Sequence, residues 1–330
     1  MEELRSAAVE CGLKSFVGNQ LCDWIYSKRV TSLGAMRNIS AAARERLSAE
    51  FDLGVEAPLE SAVSSDGTAK YLFATHQGLP VESVTIPDAD RLTLCVSSQA
   101  GCRMGCKFCM TGRQGWKGNL DTAQILNQFI SIPGSGSLTN AVFMGMGEPL
   151  DNYEAVSRAI TVLTAPWGFG WSPKRITLST VGVMPVLERF LREQSCHLAI
   201  SLHNPFQEEC ASMMPARRGW DIDKIMDCVR RFDWKGQRRL SFEYTVFDGW
   251  NDDKVHADAL IRLLKGLECR VNLIRFHRIP DFPFGPASPE RMEAFRDRLN
   301  NNGIICTIRA SRGEDIFAAC GLLSGTRSQS

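Results

Sequence analysis

Three cysteines stand within eight residues of the chain: Cys102, Cys106 and Cys109, spaced C-x3-C-x2-C. Thiolates at this spacing converge on one metal centre, and an ordinary iron–sulfur cluster or structural zinc site takes four protein ligands. Three ligands leave one corner of the centre open, where a substrate can bind. A zinc site completed by a distant Cys or His and a packed trio of cysteines are the alternatives, but Gly101 and Gly105 favour a loop that wraps an inorganic centre.

The elements around these cysteines follow a repeated βα order, which implies a parallel sheet or an open or closed barrel. The predicted strands cover residues 92–96, 140–144, 175–178, 197–202, 240–246, 270–276 and 304–308. Predicted helices lie between them near residues 121–131, 152–165, 183–194, 221–232, 252–267 and 288–301. The cysteines directly follow the first strand, and in β/α barrels the active site lies at the carboxyl ends of the strands.

The pattern of apolar, polar and turn residues divides the chain into four parts. Residues 1–55 carry helical signals without strand alternation and predict a small helical accessory domain. Residues 56–91 contain short β-type runs separated by turn residues, which predict a β-hairpin or linker extension. Residues 92–325 form the predicted core, and residues 326–330 are predicted to be a frayed tail.

The composition is that of an ordinary globular protein. The chain has 330 residues, 44% hydrophobic and 23% charged, and its formal net charge of +1 excludes binding to nucleic acid by bulk charge. No apolar run approaches the roughly 18 residues of a membrane span, and the first residues do not resemble a signal peptide, so we expect a cytoplasmic protein. In such a chain, twelve cysteines are packing residues, metal ligands or reactive thiols rather than a disulfide framework.

The cysteine spacing, with the aromatic Phe108 before the last cysteine, resembles the signature of radical S-adenosylmethionine (SAM) enzymes. Five further motifs follow one another along the chain: TLCVSSQ at 93–99, GMGEPL at 145–150, TLSTVG at 177–182, SLH at 201–203 and GEDIFAACG at 313–321. Together they resemble the RlmN/Cfr family of radical SAM RNA methyltransferases, over about residues 15 to 324. The resemblance implies an α/β fold: a partial (β/α)6-type barrel with an N-terminal helical accessory domain that contacts RNA.

The resemblance also implies the cofactors and their ligands. Cys102, Cys106 and Cys109 would hold a [4Fe-4S] cluster whose one open iron site chelates SAM, and two SAM molecules are used per turnover. The residues implied to bind SAM are Gly147, Glu148, Ser179, Ser201, Leu202, His203 and His277. Among them, His277 stands where the family usually has an Asn.

Two further cysteines take reactive roles by the same resemblance. The residues alone predict Cys95 to be buried in a strand and Cys320 to be packed in a helix. In the family, the residue at Cys320 is methylated by one SAM, the radical made from a second SAM removes a hydrogen from that methyl group, and the methylene radical adds to an adenine carbon. Cys95 then releases the product through a transient disulfide with Cys320, and Glu82 is implied as a proton acceptor. Such a tethered radical suits adenine C2, which is poorly suited to ordinary nucleophilic methylation.

The expected partners are ribosomal or transfer RNA and a reductant such as flavodoxin or ferredoxin, and the protein is expected to act as a monomer without a membrane partner. Arg and Trp residues near predicted loops suit phosphate contact and base stacking. The linker from Cys109 to Gly145 and the ten residues after Cys320 are short for the family, so RNA-facing parts are reduced. Two other functions stay open. One is the same methyl-cysteine chemistry at another RNA site or at adenine C8, and the other is a non-catalytic iron–sulfur RNA-binding protein, which Cys95, Glu148 and Cys320 together disfavour.

Overall fold

One sheet of ten strands organises the part of the chain that a computed structural model describes, residues 1–325. The predicted tail at 326–330 lies outside the described residues. The strands are β1 Glu60–Val63, β2 Ala69–Ala74, β3 Pro80–Asp88, β4 Arg91–Cys95, β5 Gln99–Gly101, β6 Trp116–Asn119, β7 Asn140–Phe143, β8 Ile176–Thr180, β9 His197–Ser201, β10 Leu240–Val246, β11 Arg270–Arg275 and β12 Ile305–Ile308. The order in the large sheet is β1-β2-β3-β4-β7-β8-β9-β10-β11-β12, and β5 pairs with β6 separately.

The seven strands from β4 to β12 of this order run parallel to their neighbours. In the described sheet β4 and β12 are not hydrogen-bonded to each other, so the barrel is open between them. This confirms the predicted α/β class and the partial barrel, with β12 as a seventh strand after the six of the (β/α)6 unit. The strands are rich in fully buried apolar residues such as Leu198, Ile200 and Leu273, as expected for a parallel sheet that is covered by helices.

The helices are α1 Glu2–Glu10, α2 Val17–Cys22, α3 Ala41–Glu50, α4 Met110–Arg113, α5 Thr122–Ile130, α6 Tyr153–Thr164, α7 Val186–Glu193, α8 Gln207–Met213, α9 Ile222–Arg230, α10 Lys254–Leu264 and α11 Pro289–Asn301. Several begin at a side-chain cap that satisfies free backbone N–H groups. Asp121 forms a capping box with Gln124 at α5, and Asp253 and Ser288 accept from the backbone at α10 and α11. These caps explain why the helix positions could be predicted closely from the sequence.

The antiparallel strands β1 to β3 extend the sheet beyond β4. Their pairing is regular, and β3 meets β4 with Val84 opposite Cys95. The N-terminal helices have a core of their own, in which Leu21, Met36 and Leu47 pack together with Ile130 of α5. Residues before β4 therefore form a helical module and a sheet extension, both packed against the barrel.

Four short elements of the core are absent from the sequence predictions: β5, β6, α4 and α8. Strand β5 has three residues and an irregular register at Ala100/Gly101, so its pairing with β6 depends on the loop between them rather than on alternation of apolar residues. Helix α8 has only seven residues, which are too few to show the periodicity of apolar residues that predicts a helix. Among the described helices, none has the length and apolarity that crossing a membrane requires.

Candidate active site

Residues 102–109 form the loop that carries the three neighbouring cysteines, between β5 and α4. The backbone N–H of Cys102 donates to the carbonyl oxygen of Gly115 at 3.0 Å, and that of Lys107 donates to Met213 at 2.9 Å. Gly101 has φ +73°, and a Cβ at this position would lie 1.9 Å from the Gly115 carbonyl oxygen. Glycine is therefore required where the loop leaves β5.

The three thiols line one cavity of about 170 Å³. Burial raises the pKa of Cys102 to about 12 and also raises the pKa values of Cys106 and Cys109. The charges of the other two thiols raise the pKa of Cys106 further, so the three groups lie near one another. Thiolates in such surroundings need a cation, and a metal centre supplies one.

Within residues 1–325, no three Cys, His, Asp or Glu side chains converge as they would on a single metal ion. A four-iron cluster binds its thiolates through separate iron atoms, so its three cysteines do not have to converge on one point as the ligands of a single zinc ion do.

A buried arginine gives independent support for a negatively charged group at this place. The side chain of Arg217 is 1% exposed, and its Nε and Nη1 atoms have no hydrogen-bond partner, while Nη2 donates to the Ser201 carbonyl oxygen at 2.5 Å. Its charge lowers the pKa of Cys106, against the stronger effect of burial. A buried guanidinium that lacks a carboxylate is costly. Three thiolates on an iron–sulfur cluster would provide the missing negative charge, so the residues present fit such a cluster.

The turn after β7 brings Glu148 to the same cavity. Gly147 has φ +99°, and a Cβ there would lie 2.6 Å from the Cβ of Gln99, so the turn packs closely on the strand before the cysteine loop. The Glu148 carboxylate accepts from the backbone N–H of Leu150 at 3.0 Å and of Val181 at 2.9 Å. Burial nevertheless raises the pKa of Glu148 to about 7. Glu148 therefore ties two barrel turns together beside the thiols.

The ends of β8 and β9 complete this side of the cavity. Ser179 and Ser201 line it with their hydroxyl oxygens 3.4 Å apart. His203 also lines it, accepts from the Thr245 backbone N–H at Nδ1, and has its pKa lowered to about 3 by burial, so its ring is neutral at pH 7. Leu202 differs from the other predicted residues, because its side chain is buried and does not line the cavity.

His277 lies apart from this group. It lines a second and larger cavity, and its Nε2 atom lies 3.2 Å from the Ser311 hydroxyl oxygen. The neighbouring Phe276 lines the cavity of the cysteines, and Arg275 lines both cavities. The role of His277 in SAM binding stays a prediction.

The segment from residue 309 to 325 crosses the open side of the barrel and carries Cys320. The backbone N–H of Gly313 donates to Asp66 in the β1–β2 turn at 3.0 Å, and the Thr111 hydroxyl of α4 donates to the Leu323 carbonyl oxygen at 2.6 Å. These bonds lie on both sides of Cys320 and fix its position.

Cys320 lies in a turn, which corrects the prediction of a packed helix cysteine. Left-handed φ values of +54° at Phe317 and +84° at Gly321 prevent a continuous helix here. Cys320 is exposed to both cavities, whereas Cys95 is buried and lines only the larger one. Burial raises the pKa of Cys95 to about 12, with the charge of Cys320 as the second cause, and both residues line the larger cavity. All twelve cysteines are free, and the structure therefore contains no disulfide between these two.

Glu82 lies on β3, is 1% exposed and lines neither cavity. One carboxylate oxygen lies 3.0 Å from the Lys70 ammonium nitrogen. The other accepts from the backbone N–H groups of Ser324 at 2.7 Å and Gly325 at 2.9 Å. Both oxygens thus bind the protein itself, and one of them binds the segment that carries Cys320.

Comparison with known proteins identifies the family. Residues 96–260 match the radical SAM superfamily, and residues 1–53 match the ribosomal RNA large subunit methyltransferase N-terminal domain. A protein of Porphyromonas gingivalis (strain ATCC BAA-308 / W83), named probable dual-specificity RNA methyltransferase RlmN, is 55% identical over 330 residues, which are 100% of this chain and 96% of that protein. The chain belongs to the RlmN family of radical SAM methyltransferases.

Other relatives agree with this assignment. The dual-specificity RNA methyltransferase RlmN of Syntrophus aciditrophicus (strain SB) is 40% identical over 98% of this chain and 94% of its own length. A crystal structure of a radical SAM methyltransferase from Sphaerobacter thermophilus has a TM-score of 0.94 and 37% identity, and the match covers 98% of this chain and 97% of that one. The family predicted from the motifs is thereby confirmed.

Three charged residues of this RlmN-family site are not predicted to lie there. Arg217 is among the Arg residues near predicted loops that are expected to suit RNA contact, and its burial corrects this expectation, whereas Glu243 and Arg309 carry no signal in the sequence. Arg217 lies in the loop after α8, Glu243 in the middle of β10 and Arg309 just after β12. Glu243 is 2% exposed and accepts from the Asn272 side chain at 2.8 Å, and its other oxygen lies 3.7 Å from the Arg309 guanidinium. The contacts of such isolated charged residues are known only from the structure, because folding brings distant strands together.

Proposed function

We propose that this protein methylates C2 of an adenosine in ribosomal or transfer RNA, with Cys320 as the methyl carrier. The observation that supports this most strongly is the position of Cys320, which faces the three neighbouring cysteines on one side and Cys95 on the other. A methyl carrier must reach both the methyl donor and the base that receives the group. The RNA methyltransferases among the relatives support RNA as the substrate.

Cys102, Cys106 and Cys109 would hold the [4Fe-4S] cluster, which leaves one iron site open for SAM. When bound, the cluster supplies the electron that cleaves SAM to a carbon radical. Gly147, the Ser179 and Ser201 hydroxyls and the neutral ring of His203 would bind SAM in the smaller cavity, with Glu148 holding the turns around it. Two SAM molecules are used per turnover, one as methyl donor to Cys320 and one as radical source.

The sulfur of Cys320 takes the methyl group and presents it to the base. The carbon radical made from the second SAM takes one hydrogen atom from this methyl group and leaves an S–CH2 radical, centred on carbon, at Cys320. This radical adds to adenine C2, and the adduct becomes an RNA–Cys320 thioether when it loses the C2 proton and one electron, which would return to the cluster. Cys95 attacks the sulfur of this link, so that the carbon–sulfur bond breaks, the carbon takes up a proton and a Cys95–Cys320 disulfide forms. A reductant such as flavodoxin or ferredoxin returns both cysteines to thiols.

The contacts of Glu82 support a positioning role better than the expected role as proton acceptor. Both of its oxygens are engaged by Lys70 and by the backbone of residues 324–325. Cys95 lines the larger cavity beside Cys320, whereas Glu82 lines neither cavity. The protein would act in the cytoplasm, where its RNA substrates are found, and we expect it to act there as a monomer.

The test uses purified protein with reconstituted iron and sulfide, methyl-labelled SAM, a chemical reductant and RNA, followed by mass spectrometry of the nucleosides. The protein should form C2-methyladenosine, the Cys320→Ser variant should form none, and the Cys95→Ser variant should accumulate a covalent protein–RNA link. Cys269→Ser is the matched control, since Cys269 lines neither cavity. Methylation by Cys320→Ser at the wild-type rate would refute the mechanism, and C8-methyladenosine would refute the assigned carbon.

A further inference from the structure

The larger cavity extends from Cys320 through the barrel to the opposite end of the strands. Its volume is about 720 Å³. Cys95, Cys109 and Cys320 line it at the carboxyl end of the strands, and the residues that begin β7, β9 and β11 line it at the amino end. Strands of this length span roughly 13 Å from the first residue to the fifth. The cavity is thus a passage with the cysteines at one end.

The amino end of this passage is strongly basic. Eight Lys and Arg side chains line the cavity against a single acidic one, Asp88, although the whole chain has a net charge of only +1. The eight are Arg91, Lys174, Arg175, Arg239, Arg270, Arg275, Arg309 and Arg312. The first five of these lie at the amino ends of β4, β8, β10 and β11 and are called the basic rim below.

The basic rim is poorly neutralised. Within the described chain, Arg91 pairs with Asp88, whereas no ion pair is found for Lys174, Arg175 or Arg270. His197 lies among these groups, and its pKa is lowered to about 4 by burial and then by the charges of Arg239, Arg238, Lys174 and Arg270. Several cations therefore lie close together around a neutral imidazole, in an arrangement that suits a polyanion.

The wall between the rim and the cysteines is lined by uncharged hydrogen-bonding groups. They belong to Thr93, Asn140, Thr177, Ser241, Asn272 and Thr307. Such groups can bind the edges of a base, whereas they cannot bind a phosphate as strongly as the rim does. The volume is that of a pocket for one small molecule, so it can take one unstacked nucleoside but no double helix.

We propose that RNA docks its sugar–phosphate backbone on the basic rim and that the target nucleotide enters the barrel from the amino ends of the strands, opposite to the cofactor side. This inference rests on the proposed function and adds the route of the substrate. The carboxyl ends of the strands, where barrel enzymes ordinarily bind their substrates, are taken up by the cysteine loop and the SAM-binding turns. The base leaves its stack to reach Cys320, while the flanking phosphates stay on the rim.

The test is the double variant Arg175→Gln/Arg270→Gln. The control is Arg262→Gln/Lys265→Gln, which removes two exposed charges at the end of α10 that do not line the cavity. RNA affinity is measured over a range of salt concentrations, and methyl transfer to RNA is measured as kcat/KM. The S-methylation of Cys320 by SAM without RNA is measured by mass spectrometry of the protein.

We expect the rim variant to lose at least tenfold in kcat/KM and to bind RNA with a salt slope flatter by about 1.4, because each phosphate contact on single-stranded RNA contributes about 0.7. Cys320 should be methylated as in the wild-type protein, and Arg175→Lys/Arg270→Lys should retain most of the RNA activity, which separates charge from folding. Wild-type RNA affinity and salt slope in the Gln variant would overturn the proposed route. An intact wild-type protein that methylates Cys320 but no RNA would instead overturn the proposed function.

Discussion

Glu82 offers the sharpest test of how the methyl-carrying cysteine is positioned. Its carboxylate is buried between the Lys70 ammonium group at 3.0 Å and the backbone N–H groups of Ser324 and Gly325. The change Glu82→Ala leaves a cation in a largely buried place and removes the acceptor of two N–H groups. Two separate contacts of one side chain are therefore lost, and one of them holds the segment of Cys320.

The expected loss of stability follows from the burial of the pair. Removing one partner of a buried ion pair costs about 3–5 kcal/mol. The Lys70 side chain is 11% exposed and keeps some contact with water, so we expect a value near the lower end, about 3 kcal/mol. Changing both residues, as in Lys70→Met/Glu82→Ala, removes the unpaired charge, so the double variant should be destabilised by less than the sum of the two single variants.

The assay combines urea unfolding with mass spectrometry of Cys320. A positioning role for Glu82 predicts a lower free energy of unfolding and slower methylation of Cys320 by SAM, even without RNA. A proton acceptor that acts only on the base predicts unchanged stability and unchanged methylation of Cys320, with loss of RNA methylation alone. The second pattern would refute the reasoning from these contacts.

Three other variants test the cofactor side of the site. Burial raises the pKa of Glu148 from 4.5 to about 7, so the cofactor-free protein should lose about 3 kcal/mol of stability as the pH rises from 4.5 to 7, and Glu148→Gln should abolish this slope in urea unfolding. Gly101→Ala should lower the bound iron per chain severalfold, because its Cβ would overlap the Gly115 carbonyl oxygen; full iron content would contradict this. Arg217→Met should shift the reduction potential of the reconstituted cluster to more negative values, whereas Arg217→Lys should not; equal potentials in redox titration would show that the charge is compensated elsewhere.

The fold could be predicted closely from the sequence where the signals are local. The strand at residues 240–246 has the predicted bounds, and α5 begins where Asp121 and Gln124 form a capping box. The pairing of β5 with β6 could not be predicted, because only the folded cysteine loop brings these two strands together. The open edge between β4 and β12 is likewise a property of the whole sheet, which no window of sequence contains.

The residues of the site also differ in how far the sequence could predict them. The spacing of Cys102, Cys106 and Cys109 predicts a ligand set from the sequence alone, and the structure brings the three residues to one cavity. Arg217 and Glu243 are single charged residues in unremarkable surroundings, and their burial follows from contacts with other strands and loops. His277 is predicted to bind SAM from its place in a motif, and in the structure it lines the larger cavity, whereas Phe276 lines the smaller one and Arg275 lines both.

The open barrel explains how one cysteine lines two cavities, as the proposed function requires. The segment of Cys320 crosses the gap between β4 and β12, so it can face the small cavity of the cluster cysteines and the large basic cavity at once. A closed barrel would leave no gap through which a separate segment could reach the interior. Bonds from Asp66, Thr111 and Glu82 hold this segment on both sides of Cys320, so a methyl group on its sulfur has little freedom to move. Such restriction lowers the entropic cost of each transfer step. On the proposed route, the methyl donor and the RNA occupy opposite ends of the barrel and do not compete for one entrance.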